Sequence, residues 1–69
     1  MRQFAYRADF PPDADTQVAR ETAVGQAAGA YVRVTGKDPD SVPVTRVIRD
    51  DPAFPDRLVI VVSYDLGED

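Results

Sequence analysis

The side chains of this chain that could carry chemistry are carboxylates and guanidinium groups. Twelve Asp and Glu stand against eight Lys and Arg, and Cys and His are absent. A serine nucleophile usually needs a neighbouring base, most often His, and zinc sites in proteins prefer thiolate and imidazole ligands. Neither Ser41 nor Ser63 lies in a catalytic motif. We therefore expect a protein that is not an enzyme and that carries no cofactor.

Asp50 and Asp51 form an adjacent carboxylate pair that could transfer protons. Aspartates also collect in turns, because their side chains bind nearby backbone amides. Pro52 follows directly, and this favours the turn interpretation. The aspartates of 13–15 and 38–40 resemble calcium-loop spacing, but the glycine and distal glutamate of that loop are missing. We interpret them as a helix cap and a solvated loop.

Four arginines lie on or beside predicted strands: Arg7, Arg46, Arg49 and Arg57. The planar guanidinium group suits phosphate, so a bound anion is one interpretation. Aspartates lie close by in the sequence, next to Arg49 and two residues from Arg7. Ion pairs across or along the strands are the interpretation that we favour.

Phe54 lies in a connection stiffened by Pro52 and Pro55. An aromatic side chain on a stiff loop loses little entropy on binding, and aromatic residues often dominate the energy of protein interfaces. The alternative is that Phe54 folds back onto the core. As a surface anchor it would bind another protein.

The pattern predicts four elements in the order β–α–β–β: strands over 2–10, 42–49 and 57–66, and a helix over 13–35. Residues 2–10 alternate apolar and polar positions, which is typical of a half-buried strand. Asp13 or Asp15 can cap the helix, and Gly36 can end it. The unbroken apolar run at 58–62 predicts a central strand. We therefore expect one α+β domain over 1–69, a two-layer fold with a mainly antiparallel sheet in order 1-3-2 packed on one helix.

The apolar surface of this fold exceeds what one helix can cover. If the helix packs on the face of Ile60 and Val62, then Val59 and Val61 face away from it, beside Val44 or Val47. Contiguous exposed apolar patches usually mark an interface or a ligand site. Gly25 and Gly29 in the helix predict a close approach to another backbone, most simply the chain's own sheet.

Size and charge narrow the choice of partner. A domain of 69 residues buries only about 60% of its unfolded surface, and without cysteines it has no disulfide to stabilise it. Association of copies would compensate. The net charge of −4 disfavours nucleic acid and anionic membranes. No signal-like or spanning apolar segment is seen, so we expect a cytoplasmic protein.

The length, the β–α–β–β order and the segment Val61-Val62-Ser63-Tyr64-Asp65-Leu66 resemble those of dodecins. The resemblance implies a hollow dodecamer that binds flavin between subunits, stacked on a tryptophan and held by a glutamine of the third strand. This chain has no Trp, and Gln3, Gln17 and Gln26 lie in the predicted first strand and helix. No flavin-site residue is therefore carried over.

The sequence favours a non-enzymatic interaction or assembly module that forms a homo-oligomer. An accessory or inhibitor protein of a phage or bacterium, bound to another protein, is included in this hypothesis. A dodecin-like oligomeric carrier of a small, flavin-type ligand is the alternative. The candidate interaction residues are Phe54, Val59, Val61, Asp50 and Asp51.

Overall fold

The computed structural model describes residues 2–49, 51–53 and 55–67. Four elements follow one another along the chain, β1 (Arg2–Phe10), α1 (Thr16–Thr35), β2 (Val44–Ile48) and β3 (Leu58–Gly67). The predicted order and the α+β class are confirmed. The second strand begins two residues later than predicted, because Pro43 has no backbone N–H to donate to a ladder.

The three strands form one antiparallel sheet in the order β1-β3-β2, as predicted. β3 pairs along its length with β1, from Phe10 opposite Leu58 to Phe4 opposite Tyr64. On its other side it pairs with β2, with Val47 opposite Ile60. The most apolar strand is therefore central, and β1 and β2 are the two edges.

The core lies between α1 and the sheet face that we call the inner face. Its centre is β3, where Leu58, Ile60 and Val62 are fully buried. Two aromatic contacts close one end of the core: the ring of Tyr31 lies 5.5 Å from that of Phe4, edge to face, and 5.1 Å from that of Tyr64. Of the two faces of β3 that the sequence left open, the one with Ile60 and Val62 packs against the helix.

The helix begins later than predicted, at Thr16 rather than at residue 13. Asp15 is its N-cap, and its carboxylate accepts hydrogen bonds from the backbone amides of Gln17 at 3.0 Å and Val18 at 3.1 Å. The preceding residues form a turn in which the Ala14 amide donates to the Pro11 carbonyl at 3.1 Å. Gly36 ends the helix as predicted, in the left-handed region at φ 76°, where glycine is favoured.

Small residues bring α1 onto the sheet, but they are alanines and not the two internal glycines. Ala19, Ala23 and Ala27 are buried at four-residue spacing. A Cβ atom placed on Gly25 or Gly29 would meet nothing within 4 Å. The expectation that these glycines approach the chain's own sheet is therefore wrong, because both lie away from the alanine stripe.

Arg49 joins the end of β2 to the start of the helix. Its guanidinium donates to the carbonyl of Pro12 at 2.8 Å, to the carbonyl of Ala14 at 3.3 Å and to the hydroxyl of Thr16 at 2.6 Å. These bonds satisfy carbonyls of the turn before α1. The ion pairs that we predicted for Arg49 are not among its described bonds.

Candidate functional site

The face of the sheet that points away from α1, the outer face, is the candidate site. Strand pairing arranges its side chains in three rows across the sheet. From one end to the other, the rows are Asp9–Val59–Ile48, Arg7–Val61–Arg46 and Ala5–Ser63–Val44. No described helix or strand covers this face.

The row around Val59 closes one end of the outer face. Val59 is only 1% exposed, although it points away from the helix. Our expectation of an exposed Val59 is wrong. Its neighbours in the row are Asp9 and the half-buried Ile48, and Asp9 belongs to a group of ion pairs.

These ion pairs centre on the Asp9 carboxylate. Its Oδ1 lies 2.9 Å from Nε of Arg7, and its Oδ2 lies 3.2 Å from Nη1 of Arg57. Arg57 also contacts Asp56 at 3.1 Å. The ion pairs predicted for Arg7 and Arg57 are therefore present. They form a charged border at one end of the outer face.

The arginines lower the pKa of the two carboxyls that they contact. Hydrogen bonding from Arg7 holds the pKa of Asp9 below its ordinary value of 3.8, and Arg57 adds to the effect. Hydrogen bonding from Arg57 likewise lowers the pKa of Asp56 and raises the already high pKa of Arg57. Asp9, Asp56 and Arg57 are therefore charged at neutral pH.

The other end of the outer face, which we call the open patch, consists of Ala5, Val44, Val61 and Ser63. Val44 is 71% exposed, Ala5 is exposed, and Val61 and Ser63 are half-buried. Three of its four side chains are apolar, with Ser63 between Ala5 and Val44, and the patch is low in profile because none of the four is larger than valine. Val42, just before β2, is 90% exposed.

The structure separates the predicted interaction residues. Val61 belongs to the open patch, whereas Val59 is buried beside the ion pairs. Asp51 lies in a turn, where its carboxylate accepts from the Ala53 amide at 2.8 Å, as the turn interpretation predicts. Asp50 and Phe54 lie outside the described residues.

Sequence reasoning gave too little weight to the exposed valines of β2 and of the helix. Val18 and Val34 in α1 are 61% and 70% exposed. The available signal was position, since Val42 and Val44 flank Pro43 at the start of an edge strand. Their β-branched side chains indicated a strand without indicating its exposure.

We searched the described part of the chain for metal-binding clusters, ligand pockets and membrane-spanning helices. Within it, no three acidic side chains come together in a metal-binding cluster. Two grooves open to solvent, one at the start of α1 near Arg20 and the other near Lys37 and Asp40. Among the helices described, none is long and apolar enough to cross a membrane.

Comparison with known proteins returns no matching family model, no matching curated protein and no matching solved structure.

Proposed function

We propose that the protein is a non-enzymatic assembly module whose copies associate through the open patch of the outer face. The observation that carries this proposal is the 71% exposure of Val44, which lies opposite Ser63 and diagonally from Val61 on a face that no described element covers. An exposed, mainly apolar patch of this kind is typical of an interface.

The architecture supports the same conclusion. One helix covers one face of the sheet, and among the described residues the largest side chains that are completely buried are Val59, Leu58, Ile60 and Val62, with Tyr31 and Tyr64 nearly so. A core of this size stabilises a small domain weakly. A second copy on the outer face would bury more apolar surface, at a sheet spacing of about 10 Å.

The charges around the patch are compatible with a symmetric contact. Arg46 lies beside Val61 in the middle row, and Asp65 follows Ser63 along β3 on the same face. In a two-fold contact each copy offers both signs at the border of its apolar patch, so opposite charges can meet around a central apolar contact.

The test is the mass of the particle in solution, measured by light scattering and native mass spectrometry from micromolar to millimolar concentration. We expect a multiple of 7.6 kDa for the natural chain and a smaller particle, under the same conditions, for Val44→Asp. Val34→Asp is the matched control, because Val34 is 70% exposed but lies on the helix. It should leave the mass unchanged.

Two results would overturn the proposal. One is a single-chain mass at every concentration. The other is loss of association in Val34→Asp with none in Val44→Asp, which would assign the contact to the helix layer.

A further inference from the structure

We infer that a second copy also binds the free edge of β1, antiparallel to it, and extends the sheet to six strands. The contact depends on the proposed self-association and specifies a second surface for it. β1 has nine residues, Arg2–Phe10, and a described strand on one side only. A long edge strand presents backbone N–H and C=O groups to which another strand can bind.

The two edges of the sheet differ in how well they are protected. β2 has five residues and follows Pro43, and both a short strand and a proline discourage edge pairing. β1 is almost twice as long and has neither proline nor lysine within it. Its ladder with β3 is irregular only at Arg2 and Gln3. β1 does carry the charged residues Arg2, Arg7 and Asp9, but its length and lack of proline make it the less protected edge.

The side chains of β1 select a register for pairing with a second copy. In an antiparallel pair of β1 strands, the residue numbers of two facing residues always add up to the same value, and this value defines the register. The inner-face residues of both copies lie on the same side only when that value is even. A value of 12 pairs all nine residues, with Tyr6 opposite its own copy and Phe4 opposite Ala8. A value of 14 would set Arg7 directly against its own copy, and like charges at that position are unfavourable.

The aromatic side chains of β1 provide apolar surface for this contact. Phe4, Tyr6 and Phe10 pack against the core but remain half-buried, since they lie at the edge of the inner face. In the proposed register Tyr6 lies opposite its own copy, and Phe4 lies diagonally from Tyr6 and Phe10 of the second copy; aromatic cross-strand neighbours stabilise antiparallel sheets.

The open flank of α1 lies on the same side as this edge. The Tyr6 hydroxyl donates to Oε1 of Gln26 at 3.3 Å, which places the Gln26 flank toward β1. Thr22, Gly29 and Arg33 lie within about 60° of this flank on a helical wheel. The flank is therefore lined partly by small residues, and the space around the missing Cβ of Gly29 is empty in the single chain.

Two-fold symmetry brings the two helices side by side. Neighbouring strands lie about 4.8 Å apart, so helices seated over β1 and β3 of each copy have axes about 10 Å apart. Helices pack at interaxial distances of about 8–10 Å. The symmetry makes them antiparallel, which brings Asp15 at the start of one helix toward Arg33 and Lys37 at the end of the other. Opposite charges therefore approach at both ends.

Amide hydrogen exchange measured by NMR on the natural chain tests the edge contact. In an antiparallel edge strand, alternate amides point outward. We expect the exchange rate of the outward amides of β1 to be at least about ten times lower in concentrated protein than in dilute protein. The outward amides of β2 are the internal control and should exchange at the same rate in both samples.

A pair of charge variants tests the register. Ala5 is exposed, and in the proposed register it lies opposite Arg7 of the second copy. Both substitutions are made in the Val44→Asp background, because Ala5 also belongs to the open patch. There Ala5→Glu should tighten the edge contact and Ala5→Lys should weaken it, each by about twofold to thirtyfold in the dissociation constant, because each pair occurs twice. Without the edge contact, the two variants would not differ in association.

The outcomes separate the two proposals. If the copies associate but the outward amides of β1 are not protected from exchange, the edge contact is wrong and the open-patch contact still holds. Protection of β1 that persists in Val44→Asp would support the edge contact even if the open patch fails. A single-chain mass at all concentrations would overturn both. Equal weakening by the two Ala5 variants would overturn the register.

Discussion

The side chains of the apolar strand β3 are buried differently on the two faces of the sheet. On the inner face, Leu58, Ile60 and Val62 are all fully buried beneath α1. On the outer face, burial falls along the strand, from Val59 at 1% exposed to the half-buried Val61. An apolar run in β3 therefore does not by itself determine burial. The two valines have different neighbours in the sheet: Asp9 and Ile48 flank Val59, and Arg7 and Arg46 flank Val61.

The two faces differ in what shields the side chains of β3 from solvent. A helix provides a continuous layer, whose buried alanines at four-residue spacing allow close packing along the strand. On the outer face, cover depends on side chains of the flanking strands. Large and ion-paired side chains lie toward the Val59 end, and small ones flank Ser63 at the other. The second end is where another copy is proposed to pack.

The largest expected loss of stability comes from a substitution on the inner face. Ile60→Ala removes a fully buried side chain and should lower the free energy of unfolding by about 2–5 kcal/mol. Urea denaturation followed by far-UV circular dichroism measures it, at one fixed protein concentration because association contributes to stability. A loss below about 1 kcal/mol would contradict a rigid inner core.

Much of the fold could be predicted because periodicity and breakers act locally. The alternation of Phe4, Tyr6, Ala8 and Phe10 predicted β1, and Gly36 predicted the helix end. The start of the helix could not be chosen, since Asp13 and Asp15 are equally good caps in isolation. The turn before Thr16, held by Arg49 from a distant strand, decides between them.

The candidate site was harder to predict than the fold. Alternation placed Val59 and Val61 on one face correctly, but it could not show that they differ in exposure. Val59 lies beside Asp9, whose partner Arg57 is 48 residues away in the chain, whereas Val61 lies between Arg7 and Arg46. Likewise, the spacing of Gly25 and Gly29 signalled a close approach without showing that the chain's own sheet is not the neighbour.

A second pair of substitutions tests the gradient along the outer face. Val59→Ala should cost about 1–3 kcal/mol, since two methyl groups leave a fully buried site. Val61→Ala should cost less in dilute protein, because its side chain is already partly in water. At high concentration the cost of Val61→Ala should grow as association adds to stability. Equal costs for the two variants at all concentrations would remove the distinction between the ends.

The smallest effect concerns the ion pairs at the closed end of the outer face. Because the pKa of Asp9 is lowered in the folded protein, its ionised form favours folding. This contribution is present above the ordinary value of 3.8 and is lost as the pH falls through the lowered folded value. The Asp9 side chain is 40% exposed, so solvent screens the interaction and the effect is modest.

Asp9→Asn should therefore flatten the decline of stability in acid, while changing stability little once the natural carboxyl is protonated. Denaturation midpoints measured from pH 6 to about pH 2 report this. Asp56→Asn is the comparison, because Asp56 is 73% exposed and has one described arginine partner where Asp9 has two. Its curve should change less. If the two variants gave the same curve, Asp9 would not be the centre of the charged border, and the burial of Val59 would require cover from another part of the chain.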